Sequence, residues 1–484
     1  MSRISKVFKK FPRVFWVSNT MELFERWAWY GLFMVLAVYL TESRDTGALG
    51  FSQSQKGFLM GTVVAILYFL PVFTGAIADK IGYKKVLLLA FAILSSGYLM
   101  MGSFTSYTAV FIAFLYVAIG AALFKPIVIA TISKSTTKET SSIGFGIFYM
   151  IVNIGAVIGP IAASKLRELS WNYVFIMSSV IIAINFVIVL FFYKEPERKK
   201  TTESLGNTIK SIFKNIFTAL KDVKFLIFLF FIIGFWTMYN QLFYSLPVFV
   251  SQWVDTSMLY DAIASVSPYI ASKIGTAEGI ILPEMLLNID ALYIVLFQVI
   301  ISSLIMKFKP LNTMMAGFFV SSIGIGLTFV TQNPFFLIAA IFIFAVGEMS
   351  SSPRIQEYIG TIAPKDKVAL YMGCSYLPFA FGSFFAGILS GNVYGAISDK
   401  MTLLKMEVLE RGLKDFIPEV SDTFTKNDYL NKATELMNMN NEMLTDFLWN
   451  KYHPEKIWII FTSIGTAAAL GLFLYNRFVL KKGR

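Results

Sequence analysis

Glu22-Leu-Phe-Glu25-Arg26-Trp27-Ala-Trp29-Tyr30-Gly31 places three ionisable side chains within five residues, inside a run that otherwise reads as lipid-soluble helix. At helical spacing Glu22, Glu25, Arg26, Trp29, Tyr30 and Phe33 share one face. With the helix beginning near Phe15, Glu25 lies about 15 Å along it at ~1.5 Å per residue, roughly half of a ~30 Å hydrocarbon core. Charges that deep are tolerated where they face protein or water and find partners. The stretch therefore reads either as a buried ion cluster that locks helix packing or as a proton- and solute-handling site inside a membrane.

Composition agrees with a membrane setting. Of 484 residues, 56% are hydrophobic, 16% aromatic and 15% charged, and the mean hydropathy is +0.65, which suits a polytopic membrane protein and excludes an ordinary soluble domain. The formal charge of +12 does not signal nucleic acid, because the basic residues sit in short loops between apolar runs. The N-terminal apolar run is too long for a signal core and lacks a small-residue cleavage site. The single cysteine, Cys374, excludes an internal disulfide and a cysteine metal cluster. His453, the single histidine, lies outside the apolar runs, so an intramembrane proton relay must use carboxylates. No nucleophile triad, phosphate loop or metal site is legible, so an enzyme, a cofactor and a bound metal are not expected.

Twelve apolar runs near the ~20 residues of a membrane helix are expected at about 14–41, 54–78, 83–102, 107–131, 142–166, 171–193, 222–250, 284–306, 311–331, 334–354, 367–392 and 455–478. The fold class is an all-α membrane protein, with an N-terminal six-helix bundle (1–193), a cytoplasmic linker (194–221) and a C-terminal six-helix bundle (222–484). The linker is too short for two further spans. An outer-face insert (393–454) carries mixed apolar and charged runs at Met401–Arg411 and Tyr429–Trp449, which predict two or more surface helices. Arg3, Lys6, Lys9, Lys10, Arg13, Lys80, Lys84, Lys85, Lys134, Lys138, eight linker residues from Lys194 to Lys224, and Arg477, Lys481, Lys482 and Arg484 fall on one face. The short opposite loops hold Arg44, Lys165, Arg167 and Lys273, so the positive-inside rule puts both termini in the cytoplasm.

Between the second and third runs stands Gly75-Ala-Ile-Ala-Asp79-Lys80-Ile-Gly82-Tyr-Lys84-Lys85. Asp79 can cap a helix or pair with a neighbouring base, while Gly75 and Gly82 permit close approach and a tight turn. With six-plus-six spans this loop resembles the cytoplasmic motif of the major facilitator superfamily. Phe124-Lys125-Pro126 ends the fourth run, and Lys125 needs a counter-ion, for which Glu22 and Glu25 are candidates. In the fifth, Tyr149 and Asn153 are i, i+4 neighbours beside Gly155 and Gly159, and can line a cavity or join helices.

Together these pieces resemble the proton-dependent oligopeptide transporter (POT) family. The similarity rests on Glu22-x-x-Glu25-Arg26-x-x-x-Tyr30-Gly31, Tyr68, Phe124-Lys125-Pro126, Phe148-Tyr149…Asn153…Gly155, Leu287-Asn288-Ile and Gly347-Glu348-Met-Ser-Ser-Ser352-Pro353. It implies proton coupling by Glu22, Glu25, Arg26, Lys125 and Glu348, with Glu348 and Asn288 receiving a peptide amino group. Tyr30, Phe33, Tyr68, Lys125, Tyr149, Asn153, Trp236, Asn240, Asn288, Glu348 and Ser352 become the implied substrate-lining set. Two positions depart from the family: Phe33 stands where an arginine is usual, and Asn240 where an acidic residue is usual. Losing both together is electrostatically consistent, since losing one would leave an unpaired charge. The resemblance implies a monomeric symporter of the cell membrane, surrounded by lipid, that takes protons and di- or tripeptides or related zwitterions by alternating access. The alternative is the same engine with a bulkier or more apolar cargo.

Overall fold

The structure, a computed structural model, describes residues 10–137, 140–197, 204–364 and 367–480. Of the basic residues used for orientation, Arg3, Lys6, Lys9, Lys138, Arg198, Lys199, Lys200, Lys481, Lys482 and Arg484 lie outside the described residues. The first half comprises α1 (Arg13–Thr41), α2 (Gln53–Phe69), α3 (Pro71–Ile81), α4 (Tyr83–Ser103), α5 (Tyr107–Lys134), α6 (Ser141–Leu169) and α7 (Trp171–Phe192). Next come α8 (Leu205–Leu220), α9 (Val223–Tyr239), α10 (Gln241–Tyr244), α11 (Leu246–Trp253), α12 (Ser257–Val266), α13 (Pro268–Ile274), α14 (Pro283–Ile305), α15 (Pro310–Thr328) and α16 (Pro334–Ile362). The chain closes with α17 (Val368–Gly373), α18 (Tyr376–Ile388), α19 (Tyr394–Ile397), α20 (Lys400–Glu410), α21 (Lys426–Met437), α22 (Asn441–Tyr452) and α23 (Ile457–Leu474). Among the described residues, eleven helices are long and apolar enough to cross a membrane, and twelve when α2 and α3, bent by 45° at Leu70, count as one span. The expected all-α, twelve-span class is what forms.

Proline placement accounts for many helix starts. Pro283, Pro310 and Pro334 stand in the first turn, where a missing N–H costs nothing. Asn333 caps α16 by accepting from the amides of Phe335 and Phe336. Several expected single spans are broken. The seventh divides into α9, α10 and α11 at Asn240 and Ser245, the second break just before Pro247, which can donate no hydrogen bond, and the eleventh divides at Cys374 and passes through a π-helical turn at Leu389–Val393. The Tyr429–Trp449 run is two helices, α21 and α22, because Asn438 adopts the left-handed region at φ 53°. The linker, too short for two further spans, carries α8. Ser204 caps it, and its apolar side chains reach α3 through the Phe73–Phe213 ring contact.

The described chain forms two compact units. The first comprises residues 1–33, 63–226 and 364–380, and the second 34–62, 227–363 and 381–484. In the first, small residues of α6 let the backbone of α1 approach closely. A Cβ at Gly155 would stand 2.7 Å from the Arg26 Cβ, and one at Gly159 would stand 2.5 Å from the Trp27 carbonyl oxygen. From α7, Asn185 Nδ2 donates to the Met21 carbonyl at 2.8 Å and Ser178 Oγ to that of Ala28 at 3.1 Å. The segment carrying Glu22, Glu25 and Arg26 is thus pinned at both ends.

In the second unit Gly57 and Gly61 of α2 pack backbone to backbone against Gly387 and Gly391. The insert is anchored on the 42–51 turn. Lys426 Nζ donates to the carbonyls of Thr41 at 2.8 Å and Phe51 at 2.9 Å, and Asn427 Nδ2 to Asp45 at 2.7 Å. Within the insert, Lys451 bridges Glu407 and Glu410.

The α1–α6 approach gives a direct test. Gly159→Ala should lower the thermal unfolding midpoint in detergent by the equivalent of about 1–3 kcal/mol, the usual cost of overpacking. Gly146→Ala, whose added carbon meets nothing within 4 Å, should not lower it.

Candidate functional site

The first unit assembles a four-charge cluster. Arg26 Nε donates to Glu25 Oε2 at 2.6 Å and lies 3.3 Å from Glu22 Oε1, while a second guanidinium nitrogen also meets Glu25. Glu25 is fully buried, Arg26 is 5% exposed and Glu22 6%. Arg26 additionally lies over the ring of Tyr30 at 5.7 Å. Lys125 does not form the direct carboxylate pair expected of it. Arg26 takes both glutamates, and the Lys125 ammonium stands 4.4 Å from the centre of the Tyr68 ring, with Glu25 and Glu22 acting on it from further away. Two carboxylates and two cations sum to zero, so one added proton leaves an excess positive charge. Glu25 Oε1 is buried with no hydrogen-bond partner, and so is the hydroxyl of Tyr98, whose charge interaction with Glu25 places it nearby.

Other implied residues of this unit are dispersed. Phe33 is buried and stacks on Trp29 at 5.1 Å, which in turn stacks on Phe114 at 6.3 Å. Tyr149 is half-exposed. Asn153 bonds the Tyr149 carbonyl of its own helix at 2.8 Å rather than another helix.

In the second unit, Tyr239 donates its hydroxyl proton to Glu348 Oε1 at 2.8 Å, and Asn288 is buried. Asn240 is buried and donates to the Trp236 carbonyl at 2.7 Å and to Ser383 Oγ at 3.3 Å, so its amide is committed to local structure. The Trp236 ring packs edge-on against Phe235 and Tyr239. Ser352 is half-buried one turn beyond Glu348.

In the Gly75–Lys85 loop the amides of Tyr83 and Lys84 are capped by Glu195, at 2.9 and 3.5 Å, and Asp79 accepts from the Tyr83 hydroxyl at 2.8 Å. Lys134 Nζ donates to that same hydroxyl at 3.1 Å, and Lys84 Nζ to the Leu190 carbonyl at 2.9 Å. Gly82 holds φ 117° and is required by the turn; Gly75 meets its nearest neighbour, Pro126, at an ordinary 3.6 Å and is not required for close approach. Lys80 and Lys85 are exposed.

Sequence reading missed Asp290, Lys56 and Tyr98. Asp290 is a carboxylate inside an apolar run, the same kind of signal as Glu25. Lys56, fully buried, donates to the Tyr244 carbonyl at 2.8 Å and lies 5.3 Å from the centre of the Tyr394 ring.

The sequence profile of the Major Facilitator Superfamily matches residues 20–275, more than half of the chain. The chain belongs to the major facilitator superfamily. Within it, residues of this chain are 30% identical over 190 positions to dipeptide and tripeptide permease A of Erwinia pyrifoliae, covering 38% of each protein. The chain thus spans less than half the length of the curated relatives it matches. The fold is similar to that of a crystallised peptide transporter POT in complex with sulfate (TM-score 0.69, 15% identity, 97% of this chain and 95% of that one). It is also similar to a POT family transporter in complex with 5-aminolevulinic acid (TM-score 0.64, 18% identity, 92% and 97%).

The ion cluster predicts strong non-additivity. Arg26→Met should destabilise by roughly 3–5 kcal/mol in thermal unfolding, because two buried carboxylates lose their partner. Adding Glu22→Gln and Glu25→Gln to that variant should recover most of the loss.

Proposed function

We propose that this superfamily member is a proton-coupled symporter that imports di- and tripeptides or related small zwitterions by alternating access. The observation that carries the reading is the Glu22–Glu25–Arg26 cluster with Lys125 beside it, a net-neutral group of buried charges whose balance one proton upsets. Protonating either glutamate weakens its hold on Arg26 and changes which helix contacts are favourable, which is how a proton gradient can bias two conformations. Lys125 then suits a substrate carboxylate, while Glu348 and Asn288 suit an ammonium group. The names of the curated relatives support peptides as the cargo. The protein sits in the inner membrane as a monomer with both termini cytoplasmic, in keeping with the distribution of Lys and Arg among its loops. Residues 1–193 and 222–484 supply the two six-helix halves, the 194–221 linker lies on the cytoplasmic side, and the 393–454 insert on the outer side.

Phe33 and Asn240 bear on the cargo. The first is stacked among aromatic rings and the second is bonded to Ser383, so neither offers an ion to a peptide terminus. Purified protein in proteoliposomes should accumulate dialanine or trialanine under an inward proton gradient, and either peptide should raise its unfolding temperature. Absence of both responses, with a bulkier apolar solute ranking first in the same thermal screen, would transfer the reading to that cargo. Glu25→Gln should abolish gradient-driven accumulation; accumulation at the unmutated level would remove Glu25 from the coupling role.

A further inference from the structure

Residues 34–62, which include the end of α1, the turn after it and the start of α2, belong by sequence to the first six spans yet pack in the second compact unit. The insert grips them there. Thr41 ends α1, so its carbonyl lacks an amide partner within the helix. Lys426 Nζ takes that carbonyl at 2.8 Å and, across the mouth of the turn, the Phe51 carbonyl at 2.9 Å. Asn427 donates its backbone amide to Ser43 Oγ at 3.1 Å and its side-chain amide to Asp45 at 2.7 Å, and Asp422 pairs with Arg44. At the start of α2, Gln53 Nε2 reaches Asp399 at 2.9 Å. These contacts are all polar, and Arg44, Asp45 and Asp422 are exposed. The insert is fastened to α11 in another way. The Trp449 ring of α22 packs on Trp253 at 5.7 Å and on Phe249 at 6.0 Å, and both of those residues are buried. Trp253 Nε1 also donates to the Ser398 carbonyl at 2.8 Å, and Gln252 donates to Asp399 at 2.9 Å while accepting from the Lys400 amide at 3.2 Å.

Alternating access requires the first six spans to part from the last six on the outer side, so residues 34–62 must leave the last six. The insert then either travels with the turn or stays on α11. Leaving α11 returns buried aromatic rings to water, at a cost proportional to their area. Leaving the turn exchanges hydrogen bonds within the protein for hydrogen bonds to water, and each such exchange has a small net cost. Both ends of the insert are also joined to spans of the last six, through α19 and α23. We propose that the insert is a clasp: it stays on α11 throughout, lets go of the 42–51 turn each time the outer side opens, and retakes the turn when that side closes. Lys426 sets how readily it lets go, because one ammonium holds both ends of the turn. The insert thereby favours the outer-closed state, and the energy of its grip is part of what opening must overcome. This role rests on the alternating-access reading above, whereas the difference between a polar grip on the turn and an aromatic one on α11 does not.

Spin-label distances in the full-length protein in nanodiscs test this, with Cys374→Ser leaving the introduced cysteines as the labelled ones. Labels at Thr46→Cys on the turn and Asn431→Cys on α21, both exposed, should give two distance populations, clasped and released. Labels at Asn431→Cys and at Met258→Cys on α12 should give one. Lys426→Met should raise the ratio of released to clasped roughly tenfold, as the loss of two hydrogen bonds from a charged donor implies. Asn427→Ala should move the ratio the same way by less, and it serves in place of Lys426→Met if thermal unfolding shows that variant not to fold. A single Thr46–Asn431 distance at every proton and dialanine concentration overturns the proposal, as does a second population for Asn431–Met258. A ratio that neither variant moves overturns the role of Lys426. In proteoliposomes, joining Asp45→Cys to Asn427→Cys with a short bis-methanethiosulfonate reagent should stop dialanine accumulation, and a reductant should restore it. Accumulation at the unlinked rate in fully linked protein overturns the clasp. Two Thr46–Asn431 populations in protein that takes up no dialanine instead support the clasp and overturn the cargo assigned above.

Discussion

The grip of Arg26 on Glu22 and Glu25 is the constraint around which the first unit is arranged. A buried carboxylate without a partner is costly in an apolar setting, so α1 is usable only if the guanidinium is fixed beside both acids. That fixation is visible in the backbone: glycines at 155 and 159 remove side-chain volume opposite Arg26 and Trp27, and Asn185 and Ser178 hold the carbonyls of Met21 and Ala28. With Arg26 committed, Lys125 is left to the Tyr68 ring, a weaker partner than a carboxylate.

How much of this the sequence disclosed follows from how local each signal is. The twelve spans were legible because each is a continuous apolar run of membrane length, and so was the ion cluster, since ionisable residues in such a run stand out. The breaks were less legible. Pro71 and Pro247 mark two of them, yet proline inside a membrane span is common enough that the residue alone does not say whether the helix bends or stops. The α8 helix had its signals, a Ser204 cap followed by Ile209, Ile212, Phe213, Ile216 and Phe217 at helical spacing, but a charged linker masked them. Glu195 capping α4, Lys426 on the Thr41 and Phe51 carbonyls, and Asn240 on Ser383 involve partners far apart in the chain, and no periodicity encodes them.

Lys56 shows how the second unit handles a buried cation without a direct carboxylate partner. It is fully buried on α2, and its acceptor is a backbone carbonyl. Tyr244 ends α10, where the chain turns before Pro247, and its carbonyl receives both Lys56 Nζ and Ser390 Oγ at 2.8 Å. A carbonyl carries only a partial charge, so such a contact is weaker than an ion pair. It is supplemented by the Tyr394 ring and by Asp399, which acts on Lys56 from further off while accepting from Gln53 at 2.9 Å. The glycine-on-glycine packing of Gly57 and Gly61 with Gly387 and Gly391 brings these groups together, since a side chain at Gly57, Gly61 or Gly387 would collide with the facing backbone. An ion pair between flexible side chains tolerates shifts of an ångström or more, whereas a lysine aimed at one carbonyl beneath interlocked backbones does not. The junction of α2, α10 and the α18 segment is therefore defined by shape more than by charge, and separating its parts would require exposing a buried cation and four glycines at once.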